Sequence, residues 1–270
     1  MTTPFWRIRY KAPIAKPDER MDWLGQDFLF FVLVGLLAQL IDGALGMAYG
    51  LISSSVLLAM GLPPATVSAS VHTAEVFTSG VSGISHALHR NVDRRLFLRL
   101  AAPGVVGGVA GAYLLSRVPG DAIKPYVLGY LLLLAVVVLA RAIRGRHRAK
   151  REIRHVPALG LVAGFLDAIG GGGWGAMATS TLLAKGGQVR TTVGSVSAAE
   201  FAVTLATSLT FLIHLGITHW DVIAGLLVGG VVAAPLAAWL VKRVPERPAL
   251  GAVGALILGI SAYQLARVFA

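Results

Sequence analysis

The chain contains no cysteine in its 270 residues. That excludes disulfides, thiolate metal sites and thiol-based sulfur chemistry. Charge is scarce as well, with Asp, Glu, Lys and Arg together at 14% of residues and only 13 of them acidic. The remainder is apolar: 56% of residues are hydrophobic and the mean hydropathy is +0.73. This composition describes a polytopic membrane protein, not one or two soluble domains. The hydrolytic signatures His-Glu-x-x-His and Gly-x-Ser-x-Gly are absent too, which disfavours an intramembrane enzyme. A Ser70–His72 dyad fails because residues two apart on a helix do not face each other. No cofactor and no metal is implied.

The formal charge of +11 does not indicate nucleic-acid binding. The basic residues flank apolar segments, above all in the run from Arg141 to Arg154, where the positive-inside rule places a cytoplasmic linker. Residues 1–27 form a polar arm of mixed charge, without the apolar core and small-residue cleavage site of a signal peptide. Phe5, Trp6 and Trp23 are its candidate headgroup contacts.

What the chain does have is a duplication. Leu40-Ile41-Asp42-Gly43-Ala44-Leu45-Gly46-Met47-Ala48-Tyr49-Gly50 returns as Phe165-Leu166-Asp167-Ala168-Ile169-Gly170-Gly171-Gly172-Gly173-Trp174-Gly175. The offset, 167 − 42 = 125, aligns Ser55 with Ser180, Gly61 with Gly186, Thr66 with Thr191, Ser70 with Ser195, Glu75 with Glu200 and His89 with His214. After one inserted residue, Arg117-Val118-Pro119 falls on Arg243-Val244-Pro245 and Arg141 on Arg267. The expected organisation is an arm (1–27), a first transmembrane repeat (28–143), a basic linker (144–155) and a second repeat (156–270).

Apolar segments run over 28–61, 64–88, 96–117 and 123–143, then 156–185, 189–214, 219–242 and 248–269. The shorter six suit helices of about 20 residues across a core of about 30 Å. Phe28 to Gly61 as one helix would reach about 50 Å at about 1.5 Å per residue. Glycine costs about 1 kcal/mol within a helix, so Gly43, Gly46 and Gly50, and the Gly170–Gly173 run, are expected breaks. Unwound backbone at membrane depth must be satisfied by protein or water, which places both breaks inside the bundle and near each other. Re-entrant hairpins would make the repeats inverted; kinked spans would make them parallel. The near absence of Lys and Arg at 215–220 favours the inverted arrangement. The expected fold is therefore all-α, polytopic, with two homologous repeats whose first helix is broken or re-entrant.

A matched pair of interrupted hydrophobic segments is the sequence pointer to a transporter site. Four carboxylates lie in apolar segments and pair across the repeat, Asp42 with Asp167 and Glu75 with Glu200. Intramembrane acids are functional candidates by default. Asp42 and Asp167 directly precede the breaks, so they either cap the following half-helix, take part directly, or do both. Glu75 and Glu200 have no adjacent break and are candidate proton carriers. The glycine turns (Gly43, Gly46, Gly50; Gly171, Gly172, Gly175) are the candidate oxyanion cradle, since half-helix N-termini present free amides and partial positive charge. No Lys or Arg lies deep in any segment to compete with them. The alternative is that these glycines only permit close packing. Ser70 and Ser195 are candidate pathway-lining residues. His72 shares a helix face with Glu75 and is read either as an anion contact and proton relay or as a satisfied interior histidine. Tyr49 and Trp174 hold equivalent places in the turns and are candidate cavity or gate residues.

These features resemble the TauE/SafE family of anion permeases, often called sulfite exporters. The likeness rests on the duplicated turns Asp42-Gly46-Gly50 and Asp167-Gly171-Gly175. It rests also on the short loops Asn91-Val92-Asp93-Arg94-Arg95 and Gly216-Ile217-Thr218-His219-Trp220. The resemblance implies carriage of sulfite or an organosulfonate such as sulfoacetate. The expected protein is then a secondary carrier in a bacterial-type cytoplasmic (inner) membrane, with a small inorganic or organosulfonate anion, protons and the bilayer as its partners and no nucleic acid. The rival in the same class is a cation/proton exchanger that binds its ion on the four carboxylates.

Overall fold

A computed structural model describes residues 26–45, 47–144, 155–216, 219–240 and 246–269. The N-terminal arm with Phe5, Trp6 and Trp23, the basic linker, Gly46 and the Arg243–Pro245 match lie outside the described residues. The described chain is all-helical: α1 (Gln26–Leu45), α2 (Tyr49–Ala59), α3 (Pro64–Leu88), α4 (Arg94–Arg117) and α5 (Gly120–Arg144). The second half repeats the series as α6 (Val156–Gly170), α7 (Trp174–Ala184), α8 (Val189–Leu215), α9 (Trp220–Leu240) and α10 (Glu246–Phe269). Among the described residues, four helices are long and apolar enough to cross a membrane, Arg94–Arg117, Gly120–Ile143, Arg190–Leu215 and Arg247–Phe269.

Local chemistry sets the helix ends. The long first segment of each half is two helices, not one. α6 stops where Gly171 takes a left-handed conformation (φ 72°), and its amide returns to Asp167 O. Gly172 and Gly173 follow at φ 150° and 131°, backbone that side-chain-bearing residues avoid. Counterpart glycines Gly61 (φ 92°) and Gly186 (φ 87°) turn the chain from α2 into α3 and from α7 into α8. Pro64 opens α3, where its missing N–H costs nothing. Asp93 caps α4 by accepting from Leu96 N at 3.0 Å.

Packing follows the repeat and is mostly between halves. α1 packs on α9 as α6 packs on α4, and α3 packs on α8. Glycines allow the closest approaches: a methyl at Gly35 would overlap Leu226 O, and one at its counterpart Gly160 would overlap Leu100 O. Gly160 faces Leu100 and Gly164 faces Gly104, so α6 and α4 run parallel. α3 and α8 run antiparallel, since Gly83 meets Ala198, Gly80 meets Phe201, Ser79 meets Thr204 and Thr73 meets Ser208.

The distribution of polarity is the reverse of a soluble protein's. Leu33, Phe77, Val81, Ile84, Val106 and Leu133 are more than half exposed, while Ser54, Ser68, His72, Glu75, Asp167 and Thr204 are buried. An apolar exterior of this extent would aggregate in water and is solvated by lipid.

Candidate functional site

The two helix breaks meet. A Cβ placed on Gly50 would lie 2.7 Å from Gly172 Cα and 3.2 Å from Gly171 O. Only glycine permits this approach of one backbone to the other, so packing and site-building are the same requirement here.

Asp42 and Asp167 perform the capping role. Asp42 Oδ1 accepts from Ala48 N at 2.7 Å and Tyr49 N at 3.2 Å. Asp167 Oδ1 accepts from Trp174 N at 2.7 Å. Each carboxylate thus reaches across its break to hold the first amide of the next half-helix. The following amides, Gly50 and Leu51 in α2 and Gly175 and Ala176 in α7, belong to those that a helix start leaves without an intrahelical acceptor.

Hydroxyls from neighbouring helices satisfy the carbonyls of the second break. Ser68 donates to Ala168 O at 2.5 Å, Ser54 donates to Gly171 O, and Tyr130 donates to Gly172 O at 3.4 Å. Sequence reasoning singled out none of the three. Ser54 carries a signal, as the middle of three consecutive serines in an apolar helix; Ser68 and Tyr130 carry none.

The halves are not equal around this centre. His72 Nε2 lies 3.0 Å from Asp167 Oδ2, and its Nδ1 lies 2.8 Å from Ser68 O. The equivalent position is Ser197, so Asp42 has no such imidazole. Glu75 points at the breaks, its Oε1 3.6 Å from where a Gly50 Cβ would stand. Glu75 and Glu200 share an electrostatic neighbourhood with Asp42 and Asp167. The backbone carbonyls of the two glutamates are engaged alike: Ser79 donates to Glu75 O at 2.6 Å and Thr204 donates to Glu200 O at 2.8 Å.

Other candidates are placed elsewhere. Tyr49 and Trp174 each bond a neighbouring helix: Tyr49 OH donates to Leu226 O at 3.1 Å, and Trp174 Nε1 donates to Val196 O at 3.1 Å. Their phenol and indole each reach a carbonyl of a neighbouring helix. Ser195 is spent on Asp93, whose amide donates to Ser195 Oγ at 2.9 Å. Ser70 lines a cleft at the start of α3. The expectation that no cation lies deep also needs correction at Arg141. Its guanidinium folds back from the end of α5 to Ser180 Oγ at 3.1 Å and to Met47 Sδ, beside the first break, at 3.2 Å. A long side chain points toward the start of its helix, and that direction is not visible in a linear charge run. Gly43 lies in the last turns of α1.

An all-helical chain with an apolar exterior and a polar, helix-broken interior is an integral membrane protein. More specifically, it belongs to the family described as Sulfite exporter TauE/SafE, which matches residues 31–265. The chain is 45% identical over 247 residues to a Bacillus subtilis (strain 168) protein described as "Probable membrane transporter protein YtnM", covering 88% of this chain and 82% of that one. No solved structure matches it. The protein is a membrane transporter and not an enzyme.

Proposed function

We propose that the protein is a secondary carrier for a small oxyanion, sulfite or an organosulfonate, working by alternating access between two inverted repeats in the cytoplasmic membrane. The observation that carries this reading is the meeting of two broken helices at Gly50 and Gly171–Gly172, where the amides of Gly50, Leu51, Gly175 and Ala176 follow those held by Asp42 and Asp167. Such amides supply donors and partial positive charge to an anion.

The inverted arrangement is supported by α3 and α8. They are repeat counterparts, and a pseudo-twofold axis along the helices would leave them parallel; the contacts above make them antiparallel. Charge agrees with it. Arg90, Arg94 and Arg95 at the start of α4 share one end of the bundle with Lys185 and Arg190 at the start of α8. The opposite end carries Gly216, His219 and Trp220, and that segment has no Lys or Arg. The basic end is cytoplasmic by the positive-inside rule.

The carboxylates determine the coupling. An anion drawn to Gly50 meets Glu75 and, in the same neighbourhood, Glu200, Asp42 and Asp167. Like charges at such range are mutually destabilising, so the anion enters when the glutamates are protonated. Proton and anion then travel together. The cation-exchanger reading fits less well, because Asp42 Oδ1 and Asp167 Oδ1 already accept backbone amides. Anion flux into proteoliposomes, with and without an imposed pH gradient, tests the proposal. Saturable flux that follows the proton gradient is expected; flux of sulfite, sulfoacetate and isethionate no faster than in empty vesicles would end it.

A further inference from the structure

The second break is tied to the first half of the protein by a closed ring of four residues. Asp167, near the end of α6, is a bridge: Oδ1 accepts from Trp174 N at 2.7 Å, and Oδ2 meets His72 Nε2 of α3 at 3.0 Å. His72 Nδ1 lies 2.8 Å from the carbonyl of Ser68, one turn earlier on α3. Ser68 closes the ring by donating its hydroxyl hydrogen to Ala168 O at 2.5 Å. His72 and Asp167 are both buried, and the Phe211 ring of α8 stands 6.2 Å from the imidazole.

These partners fix how many protons the His72–Asp167 pair holds. A carbonyl oxygen only accepts, so Nδ1 carries a hydrogen. The Ser68 hydroxyl, 3.3 Å from Nδ1, has given its own hydrogen to Ala168 O and is an acceptor there too. A neutral imidazole protonated at Nδ1 has a bare Nε2, and an ionised Asp167 would turn a lone pair towards it. Two acceptors at 3.0 Å repel each other, and both would be buried without a donor. The contact is a hydrogen bond only when one further proton lies between Nε2 and Oδ2, on either atom. Both ring nitrogens are then engaged, so in this conformation His72 turns no N–H towards a transported anion. Asp42 faces no equivalent imidazole, since the counterpart of His72 is Ser197.

We infer that His72 is a positioning residue of the transport reaction: it shares one proton with Asp167, and that proton holds Asp167 across the second break. The role in transport rests on the carrier reading above; the proton count does not. The titratable groups around the pair are Glu75 on α3, Glu200 on α8 and Tyr130 on α5, with Asp42 of α1 and Tyr49 of α2 beyond Glu75. α9 adds an acid only in its first turn, Asp221, and α4 carries its arginines towards its two ends. Glu75 follows His72 by one turn on the same face of α3 and takes the proton when it leaves. His72 is then neutral with its hydrogen on Nδ1, Asp167 is ionised, and the two face each other as acceptors. Asp167 turns away, the Trp174 amide loses its acceptor, and the joint between the halves loosens at the second break alone.

The proton and the amide can both be read directly, in the full protein in lipid nanodiscs. By NMR on isotopically labelled histidine, His72 is identified among the seven histidines by its loss in His72→Gln. At neutral pH its Nδ1 should carry a proton, with a second proton shared between Nε2 and Asp167. A bare Nδ1, or a bare Nε2 beside an ionised Asp167, overturns the inference. Raising the pH until the shared proton leaves should speed hydrogen exchange of the Trp174 amide at least tenfold beyond the intrinsic rise. The Ala48 and Tyr49 amides of the first break should follow the intrinsic rise only. Equal acceleration at both breaks, or none at Trp174, overturns it. His72→Gln keeps an N–H that does not titrate and should remove the pH step; His72→Leu fills the space without a donor and should leave Trp174 exchanging fast at every pH. Identical exchange in the two variants would reduce His72 to packing and overturn the positioning role. Gradient-driven flux should fall at least tenfold in His72→Gln, and undiminished flux overturns the role in transport. If wild-type protein carries no sulfite, sulfoacetate or isethionate while Trp174 exchange follows pH, the carrier reading fails and the shared proton stands. If it carries them while Trp174 exchange ignores pH, this inference fails alone.

Discussion

Ser79 and Thr204 are counterparts across the repeat (204 − 79 = 125), and their hydroxyl oxygens lie 3.3 Å apart. A residue can touch its own counterpart only beside the pseudo-twofold axis, so the axis passes between them. Each hydroxyl also bonds back to the carbonyl of a glutamate four residues earlier, Glu75 or Glu200. The two acids therefore sit one helical turn from the axis, on the facing helices α3 and α8.

That symmetry makes a prediction about coupling. If both glutamates line one pathway, as proposed, Glu75→Gln and Glu200→Gln should each reduce gradient-driven anion flux, by factors within about an order of magnitude of each other. Gln keeps the shape and loses the proton site. Flux assays on the two single variants and the double variant check it, and wild-type rates from both single variants would exclude a proton-carrying role.

The glycine contact is a separate matter of space. Gly50→Ala puts a methyl 2.7 Å from Gly172 Cα, and neither backbone can yield as a side chain would. Gly172→Ala adds strain at φ 150°. Overpacking of this kind costs about 1–3 kcal/mol; both variants should melt earlier in detergent and lose flux. Gly251→Ala and Gly259→Ala, where nothing lies within 4 Å of the new methyl, should leave the melting point and the flux close to wild type. Thermal unfolding of the four variants measures the contrast.

The aspartates should separate by substitution. Asp42→Asn keeps an oxygen for the Ala48 and Tyr49 amides, whereas Asp42→Ala removes the cap, at about 0.5–2 kcal/mol. Asp42→Asn is expected to retain substantial flux and Asp42→Ala to lose most of it. Asp167→Asn should be more damaging than Asp42→Asn, because Asp167 also meets His72 at 3.0 Å and its counterpart has no such partner. Flux and thermal stability of the three variants check this order.

Tyr130 tests whether the second break depends on its hydroxyl support. Tyr130→Phe removes the donor to Gly172 O and keeps the ring beside Gly170 and Gly173. A loss of about 1 kcal/mol is expected, the usual net worth of a hydrogen bond. Tyr130→Ala would additionally empty the space that the ring fills, and should destabilise by several times more. Denaturation midpoints in one detergent compare the two directly.

Much of this protein is legible in the linear chain, because membrane insertion and helix breaking are local properties. Hydropathy and segment length require helices in a bilayer. The Gly170–Gly173 run cannot continue α6, and the recurrence of an acid and glycines at an offset of 125 marks two related turns. That an Asp before such a turn is suited to cap the next half-helix also follows from residue type and spacing. Other features depend on groups far apart in sequence. Ser68 supports Ala168 and Ser54 supports Gly171 across 100 and 117 residues, and no periodicity announces those pairs. The sequence gives Tyr49 and Trp174 equivalent positions, but only the packed helices show that each spends its polar atom on a neighbouring carbonyl. Ser70 and Ser195 are the sharpest case. Residue type and repeat position make them the same, and only tertiary structure sets one against a cleft and the other against Asp93. The reason is physical: a duplicated sequence specifies equivalent residues in two halves, but what each member of a pair touches is set by contacts between the halves, which the linear chain does not display.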